Sequence, residues 1–185
     1  MTGTAAAAMM AACGSFHGDP TALRPATSIS SSGVDPSVLD DTGGYIEQDS
    51  SVSPFDEGHP AIANLDRDLR DALQRATDDA SVDGVHLMVN SGWRSTEYQK
   101  SLLDDAVRTY GSLDEARRWV DTPERSTHVT GHAVDVGPTD ASSWLSQHGA
   151  VYGLCQTYSN EMWHFELAVT PGMDCPAAAA DPTAR

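Results

Sequence analysis

Lysine is almost missing from this chain. There is one, Lys100, and lysine and arginine together number 11 against 27 aspartates and glutamates, for a formal net charge of −16. No basic run occurs anywhere, which argues against nucleic acid as a partner and against a polybasic membrane contact. Long apolar runs are missing as well: no stretch approaches the roughly 20 apolar residues a spanning helix needs. Cysteine is scarce, with three in 185 residues. His-Glu-x-x-His does not occur. The position three before the single lysine is Glu97, so Ser-x-x-Lys cannot occur either. These two absences remove the helical zinc-peptidase motif and the serine chemistry of penicillin-binding enzymes.

What is present suits one domain with tails. The hydrophobic fraction of 39% supports a modest core. Residues 1–13 hold an apolar run, Ala5 to Ala12, that ends in Met10-Ala11-Ala12-Cys13-Gly14. Small residues before a cysteine resemble the lipobox of a truncated bacterial lipoprotein signal, although a positive n-region is missing. Under that reading Cys13 is lipidated and is the only membrane link; the alternative is an Ala-rich tail. Residues 14–58, rich in Ser, Gly, Pro, Asp and Thr, read as a disordered linker. Residues 59–176 form the folded domain, and 177–185 a second disordered tail. A Cys155–Cys175 disulfide leaves Cys13 unpaired, as a lipid-modified cysteine would be. The alternative is three free thiols in a reducing compartment. The disulfide is the expectation, and with it export to the outer face of the membrane or the cell wall. A monomer is expected.

Ile62, Leu65, Leu69, Leu73, Ala76 and Ala80 recur at helical spacing after Pro60, a first-turn residue. Val85, Leu87 and Val89 alternate with polar neighbours and predict a strand. Ser91-Gly92-Trp93-Arg94-Ser95 ends it. Thr96 and Gln99 suit a capping box for a helix that Gly111 stops. Ser112 and Glu115 predict another cap, with a short helix to Val120. Thr130 to Val136 reads as a strand stopped by Gly137-Pro138. Ala141 to Gln147 reads as a short helix. In the last strand Trp163, Phe165 and Leu167 take one face, and His164, Glu166 and Ala168 the other. This order predicts an α+β fold: a small, mainly antiparallel sheet with helices packed on one side.

The chemistry gathers in Ser126-Thr127-His128-Val129-Thr130-Gly131-His132-Ala133-Val134-Asp135 and in Glu161-Met162-Trp163-His164. His128, Asp135 and His164 make a set of two nitrogens and one oxygen. Zn2+ accepts such a set when its fourth position is open to water. Glu161 is left over as a base for that water. His132 falls on the opposite strand parity from Asp135 and is left out. A Cys155–His164 thiol dyad is the rival, but a disulfide would occupy that sulfur and leave Asp135 and Glu161 unexplained.

Ser126-x-His128-x-x-Gly131-x-Ala133-x-Asp135 with Glu161-x-x-His164 resembles the zinc D-alanyl-D-alanine carboxypeptidase and D,D-dipeptidase family, relatives of the Hedgehog fold. Ser91-Gly92-Trp93-Arg94-Ser95-x-x-x-Gln99 is similar to that family's arginine motif. The resemblance implies that His128, Asp135 and His164 bind zinc and that Glu161 is the general base and then the acid. It implies that Arg94 holds a substrate carboxylate or carbonyl oxygen, and that Ser126 and Gln99 contact the peptide. It also implies a Hedgehog/DD-peptidase-like fold acting on peptidoglycan stem peptides. A D,D-dipeptidase, an L-alanyl-D-glutamate endopeptidase and a non-catalytic wall-binding module remain alternatives on the same site.

Overall fold

The computed structural model describes residues 40–185. The expectations for residues 1–13, Cys13 included, and for the 14–39 part of the expected linker lie outside the described residues. Among the described residues no helix is long and apolar enough to cross a membrane.

The helical period after Pro60 resolves into two helices, α1 (Pro60–Ala63) and α2 (Arg67–Val82). The break lies at 64–66, where the Asp66 side chain accepts from the amides of Asp68 and Leu69 and caps α2. A second contact fixes the break: the Asp66 amide donates to the Gly131 carbonyl at 2.8 Å. Gly131 has φ +75°, and a Cβ there would come within 2.5 Å of the Asn64 carbonyl oxygen. Only glycine allows the two backbones to meet this closely.

β1 (Met88–Ser91) starts later than the alternation at Val85 suggests, because α2 ends through Gly84 at φ +77° and the Val85 amide still bonds Ala80. α3 (Thr96–Tyr110) is capped by Ser95, not Thr96; the Ser95 hydroxyl accepts from the Tyr98 amide. Gly111, at φ +80°, ends it as expected. α4 (Leu113–Ala116) is capped by Ser112 and stops short of Val120. β2 (Ala133–Gly137) begins three residues after Thr130, because 127–131 form a turn closed by bonds from Gly131 to His128 and from His132 to Thr127. α5 (Thr139–His148) follows, then β3 (Leu154–Gln156) and β4 (His164–Leu167). The three-residue β3 has no alternation long enough to signal a strand.

The sheet is antiparallel throughout, in the order β1-β2-β4-β3. Val89, Val134, Val136, Leu154 and Phe165 supply its apolar side, packed with Leu69, Leu73 and Ala76 of α2 and Leu145 of α5. Helices α3 and α4 are not part of that layer. They build a smaller cluster from Leu103, Ala106, Ala116 and Val120.

Two expected disordered segments are ordered where the structure describes them. In the span assigned to the linker, Val52 pairs with Val89 on the outer edge of β1, Pro54 is buried, and the Ser95 amide bonds Gly43. In the span assigned to the tail, Ala179 bridges to Tyr158, Asp181 is buried against Arg118, and the guanidinium of Arg185 sits on Glu166. Composition suggested tails because neither segment carries a period; a few specific long-range contacts order them instead.

Candidate metal centre and cleft

Register builds the centre. Asp135 of β2 faces His164 of β4 on one side and Ser91 of β1 on the other. Their neighbours Val134, Val136 and Phe165 turn to the apolar core, so the next side chains along the strands turn the opposite way. His128 reaches the group from the 127–131 turn. The arginine motif holds that turn: the Arg94 amide bonds the His128 carbonyl, and the Trp93 indole donates to Val129 at 3.1 Å.

His128, Asp135 and His164 each offer one ligand atom, and these atoms lie within 4.8 Å of one another. All three residues are buried. Each imidazole has its outer nitrogen engaged. His128 Nδ1 lies 2.8 Å from the Gly92 carbonyl, which fixes that nitrogen as the donor. His164 Nε2 lies 3.1 Å from Glu166 Oε1. The inner nitrogens, His128 Nε2 and His164 Nδ1, are 3.2 Å apart and 3.4 and 3.3 Å from Asp135 Oδ1. Asp135 Oδ1 is buried with no hydrogen-bond partner. Two ring nitrogens turned inward and an orphaned carboxylate oxygen are a donor set that fits a divalent cation, with an acceptor in place behind each ring.

The electrostatics follow. Burial disfavours charge on His128, and Arg94 adds to this, so its pKa is lowered. Burial works against the Asp135 carboxylate, but His128, His164 and Arg94 outweigh it and hold it well below the usual range. Glu161 is different. It sits in the turn before β4, with Oε2 3.6 Å from His164 Nδ1 and Oε1 buried without a partner. Burial pushes its carboxyl up to about 7, aided by Asp135 and opposed by His164 and Arg94.

Arg94 is firmly held. Its Nε donates to Ser91 Oγ at 2.8 Å, Nη1 to Gln99 Oε1 at 3.1 Å and Nη2 to Asp135 Oδ2 at 2.8 Å. One N–H on each terminal nitrogen remains for another acceptor. Gln99, expected to touch the peptide, is buried with both polar atoms on protein partners: Oε1 on Arg94 and Nε2 on the Asp121 carbonyl. It orients the arginine. Ser126 is buried in the cleft wall. The cleft measures about 570 Å³, and Arg94 is the one lysine or arginine among its lining residues, which also include Glu47, Asp49 and Asp121. Cys155 of β3 is joined to Cys175 by a disulfide.

Three features escaped the sequence. Residues 45–51 form one wall of the cleft. Gly92 contributes a carbonyl oxygen, which no side-chain pattern encodes. Glu166 anchors His164, and its signal was available: it lies two residues on from His164, on the same strand face.

Residues 62–170 match the family model described as VanY, D-alanyl-D-alanine carboxypeptidase. A D-alanyl-D-alanine carboxypeptidase of Enterococcus faecalis is 32% identical over 118 residues, covering 50% of this chain and 44% of the relative. The chain thus spans less than half the length of that curated relative. A vancomycin-resistance D,D-pentapeptidase VanY solved with Zn(II) is 28% identical, with a TM-score of 0.52 over 55% of this chain and 71% of that one. VanYB solved with D-alanine-D-alanine is 30% identical, with a TM-score of 0.52 over 55% and 70%. The match covers more than half of the 185 residues and runs through the arginine motif, all three candidate ligands and Glu161; the chain belongs to the VanY D-alanyl-D-alanine carboxypeptidase family.

Proposed function

We propose that this protein is a zinc-dependent D-alanyl-D-alanine carboxypeptidase that hydrolyses the terminal peptide bond of peptidoglycan stem peptides. The observation that carries the reading is the buried His128–Asp135–His164 set beside Glu161, whose orphaned Oε1 is not part of that set. Zn2+ held by His128, Asp135 and His164 would supply a Lewis acid for the scissile carbonyl and a water acidified to a pKa of about 7. Glu161 takes the proton from the attacking water and returns it to the leaving amine as the C–N bond breaks. A carboxyl pushed up to about 7 suits both steps near neutral pH.

Arg94 supplies its two remaining N–H groups to a substrate oxygen, and its planar fork suits a terminal carboxylate. Ser126 lies in the cleft wall, where a peptide would run. The substrate places the enzyme outside the cytoplasmic membrane, in the cell wall. The Cys155–Cys175 disulfide supports an oxidising compartment. The domain is assigned to 59–176 together with its ordered flanks, and the chain acts as a monomer.

Incubating the zinc-loaded protein with a pentapeptide muropeptide and weighing the fragments tests the reading. Release of single D-alanine is expected. Release of D-alanyl-D-alanine, or a cut in the middle of the stem, would reassign the chain to the dipeptidase or endopeptidase. No turnover with zinc bound would leave a wall-binding module.

A further inference from the structure

We infer that residues 176–185 form a strap for the metal centre, and that Arg185 is its positioning residue: its guanidinium locks Glu166, and Glu166 locks His164. This rests on the reading of His164 as a metal ligand. The strap is tied at several points. The Cys155–Cys175 disulfide holds its beginning to β3. The Ala179 amide donates to Thr157 at 2.9 Å, and the Ser159 amide to Ala179 at 2.8 Å. Asp181 Oδ2 accepts from Arg118 Nε at 3.1 Å. The segment therefore delivers Arg185 to one place.

At that place the guanidinium meets Glu166 as a fork, Nη1 to Oε1 at 2.5 Å and Nη2 to Oε2 at 2.6 Å. Glu166 is buried. Its Oε1 already serves His164 Nε2, Thr127 and Thr157. Oε2 has Arg185 as its partner among the described residues. Without Arg185 the carboxylate is held through one oxygen, and its terminal torsion has a broad, two-fold profile. Oε1 would keep His164, Thr127 and Thr157, but the fork that sets the carboxylate plane behind the His164 ring would be gone. Arg185 Nη1 also donates to the Tyr158 hydroxyl at 3.1 Å, and the Tyr158 ring lies 4.9 Å from that of His164. The arginine thus restrains both groups packed on the ligand. Its own side chain is 46% exposed, so it adds little to the core.

The test uses the full chain with Arg185→Ala, Arg185→Lys, Glu166→Gln and the Arg185→Ala/Glu166→Gln double variant. Zinc affinity is read by competition with a chromophoric chelator, folding by the melting temperature of the metal-free protein, and kcat and KM on a pentapeptide. Glu166→Gln should weaken zinc by up to roughly 10- to 100-fold, the usual effect of losing the group behind a ligand, and Arg185→Ala, one contact further out, should weaken it less but measurably. Arg185→Ala should lower kcat with KM near wild type, and the metal-free protein should stay folded while melting somewhat below wild type, because the buried Glu166 loses a charged partner. Lysine, a point charge that serves one oxygen, should restore part of the loss. The double variant should bind zinc little worse than Glu166→Gln alone, because both changes cut one chain of contacts. Wild-type zinc affinity in Arg185→Ala overturns the proposal, as do fully additive losses in the double variant. Should Arg185→Ala melt far below wild type, Arg185→Lys and Glu166→Gln carry the test: zinc affinity unchanged in both overturns it. A wild-type chain that binds no zinc sinks the functional reading itself, a result separate from any difference among variants.

Discussion

The sheet has two faces, one residue apart along each strand, and they make opposite demands. Val134, Val136 and Phe165 face α2 and α5, where each buried hydrocarbon side chain contributes about 1.5–3 kcal/mol. Asp135, His164 and Glu166, their immediate neighbours, are just as buried but ionisable. Burying a charge costs several kcal/mol unless partners compensate. The apolar face needs only volume. The polar face needs Arg94 on Asp135, Glu166 on His164, Gly92 on His128 and Arg185 on Glu166. Even so, two buried carboxylate oxygens, one on Asp135 and one on the neighbouring Glu161, have no hydrogen-bond partner. One side of the sheet stabilises the fold, and that stability tolerates an incomplete polar cluster on the other.

If this division holds, changes on the polar face should remove chemistry while sparing the fold. The largest effect is expected from His164→Ala. Two remaining ligands hold zinc poorly, so metal content by mass spectrometry and turnover should both fall to background. Retention of stoichiometric zinc would break the assignment. Glu161→Gln comes next. It keeps shape and all three candidate ligands, so zinc should stay while turnover drops roughly 10²–10⁴-fold. Normal turnover in a folded, zinc-loaded variant would remove Glu161 from the mechanism.

The apolar face should behave in reverse. Phe165→Ala removes a fully buried ring between His164 and Glu166 in sequence. It should cost about 3–5 kcal/mol in urea unfolding. The folded fraction should bind zinc near wild-type affinity. A loss of affinity as deep as that of His164→Ala would show that the two faces are not separable.

Much of the polar face was legible, because strand parity alone puts His164 with Glu166 and opposes both to Phe165. The antiparallel sheet was legible from the order of the elements, helices first and strands clustered later. Parity could not predict the break between α1 and α2. The helical period continues from Ile62 to Leu69, and only the contact between Asp66 and Gly131, 65 positions on, shows why the chain turns. Nor could it reveal the cleft wall at 45–51 or the strap at 176–185. The strap depends on pairs such as Arg118–Asp181 and Glu166–Arg185, and a composition of Ala, Pro and Asp says nothing of such partners. Only the resemblance of its motif to the family's implies that Gln99 touches substrate. The structure gives both ends of its amide to the protein, a distinction no spacing contains.

Arg94 lies where the comparison is sharpest, since it both completes the polar cluster and opens to the cleft. The core offers few other cations. Lys100 pairs with Asp104 on the exposed side of α3, Arg108 with Asp105, and Arg118 with Asp181. Arg94 follows β1 directly in a Gly-containing turn and keeps two N–H groups for a ligand. Arg94→Ala strips Asp135 Oδ2 of its partner, so zinc affinity should fall, yet saturating zinc should refill the centre. What should not return is recognition of the chain end. Wild type should cut a peptide ending in a free D-Ala-D-Ala carboxylate faster than its C-terminal amide by roughly 10- to 100-fold. That is the range expected of a charge-assisted hydrogen bond of about 1.5–3 kcal/mol. Zinc-saturated Arg94→Ala should cut the acid slowly and discriminate far less between the two ends, measured as the ratio of kcat/KM. Equal cleavage of acid and amide by wild type would mean that Arg94 polarises a carbonyl or steadies the developing oxyanion instead. The cleft would then suit cleavage within a chain better than cleavage at its end.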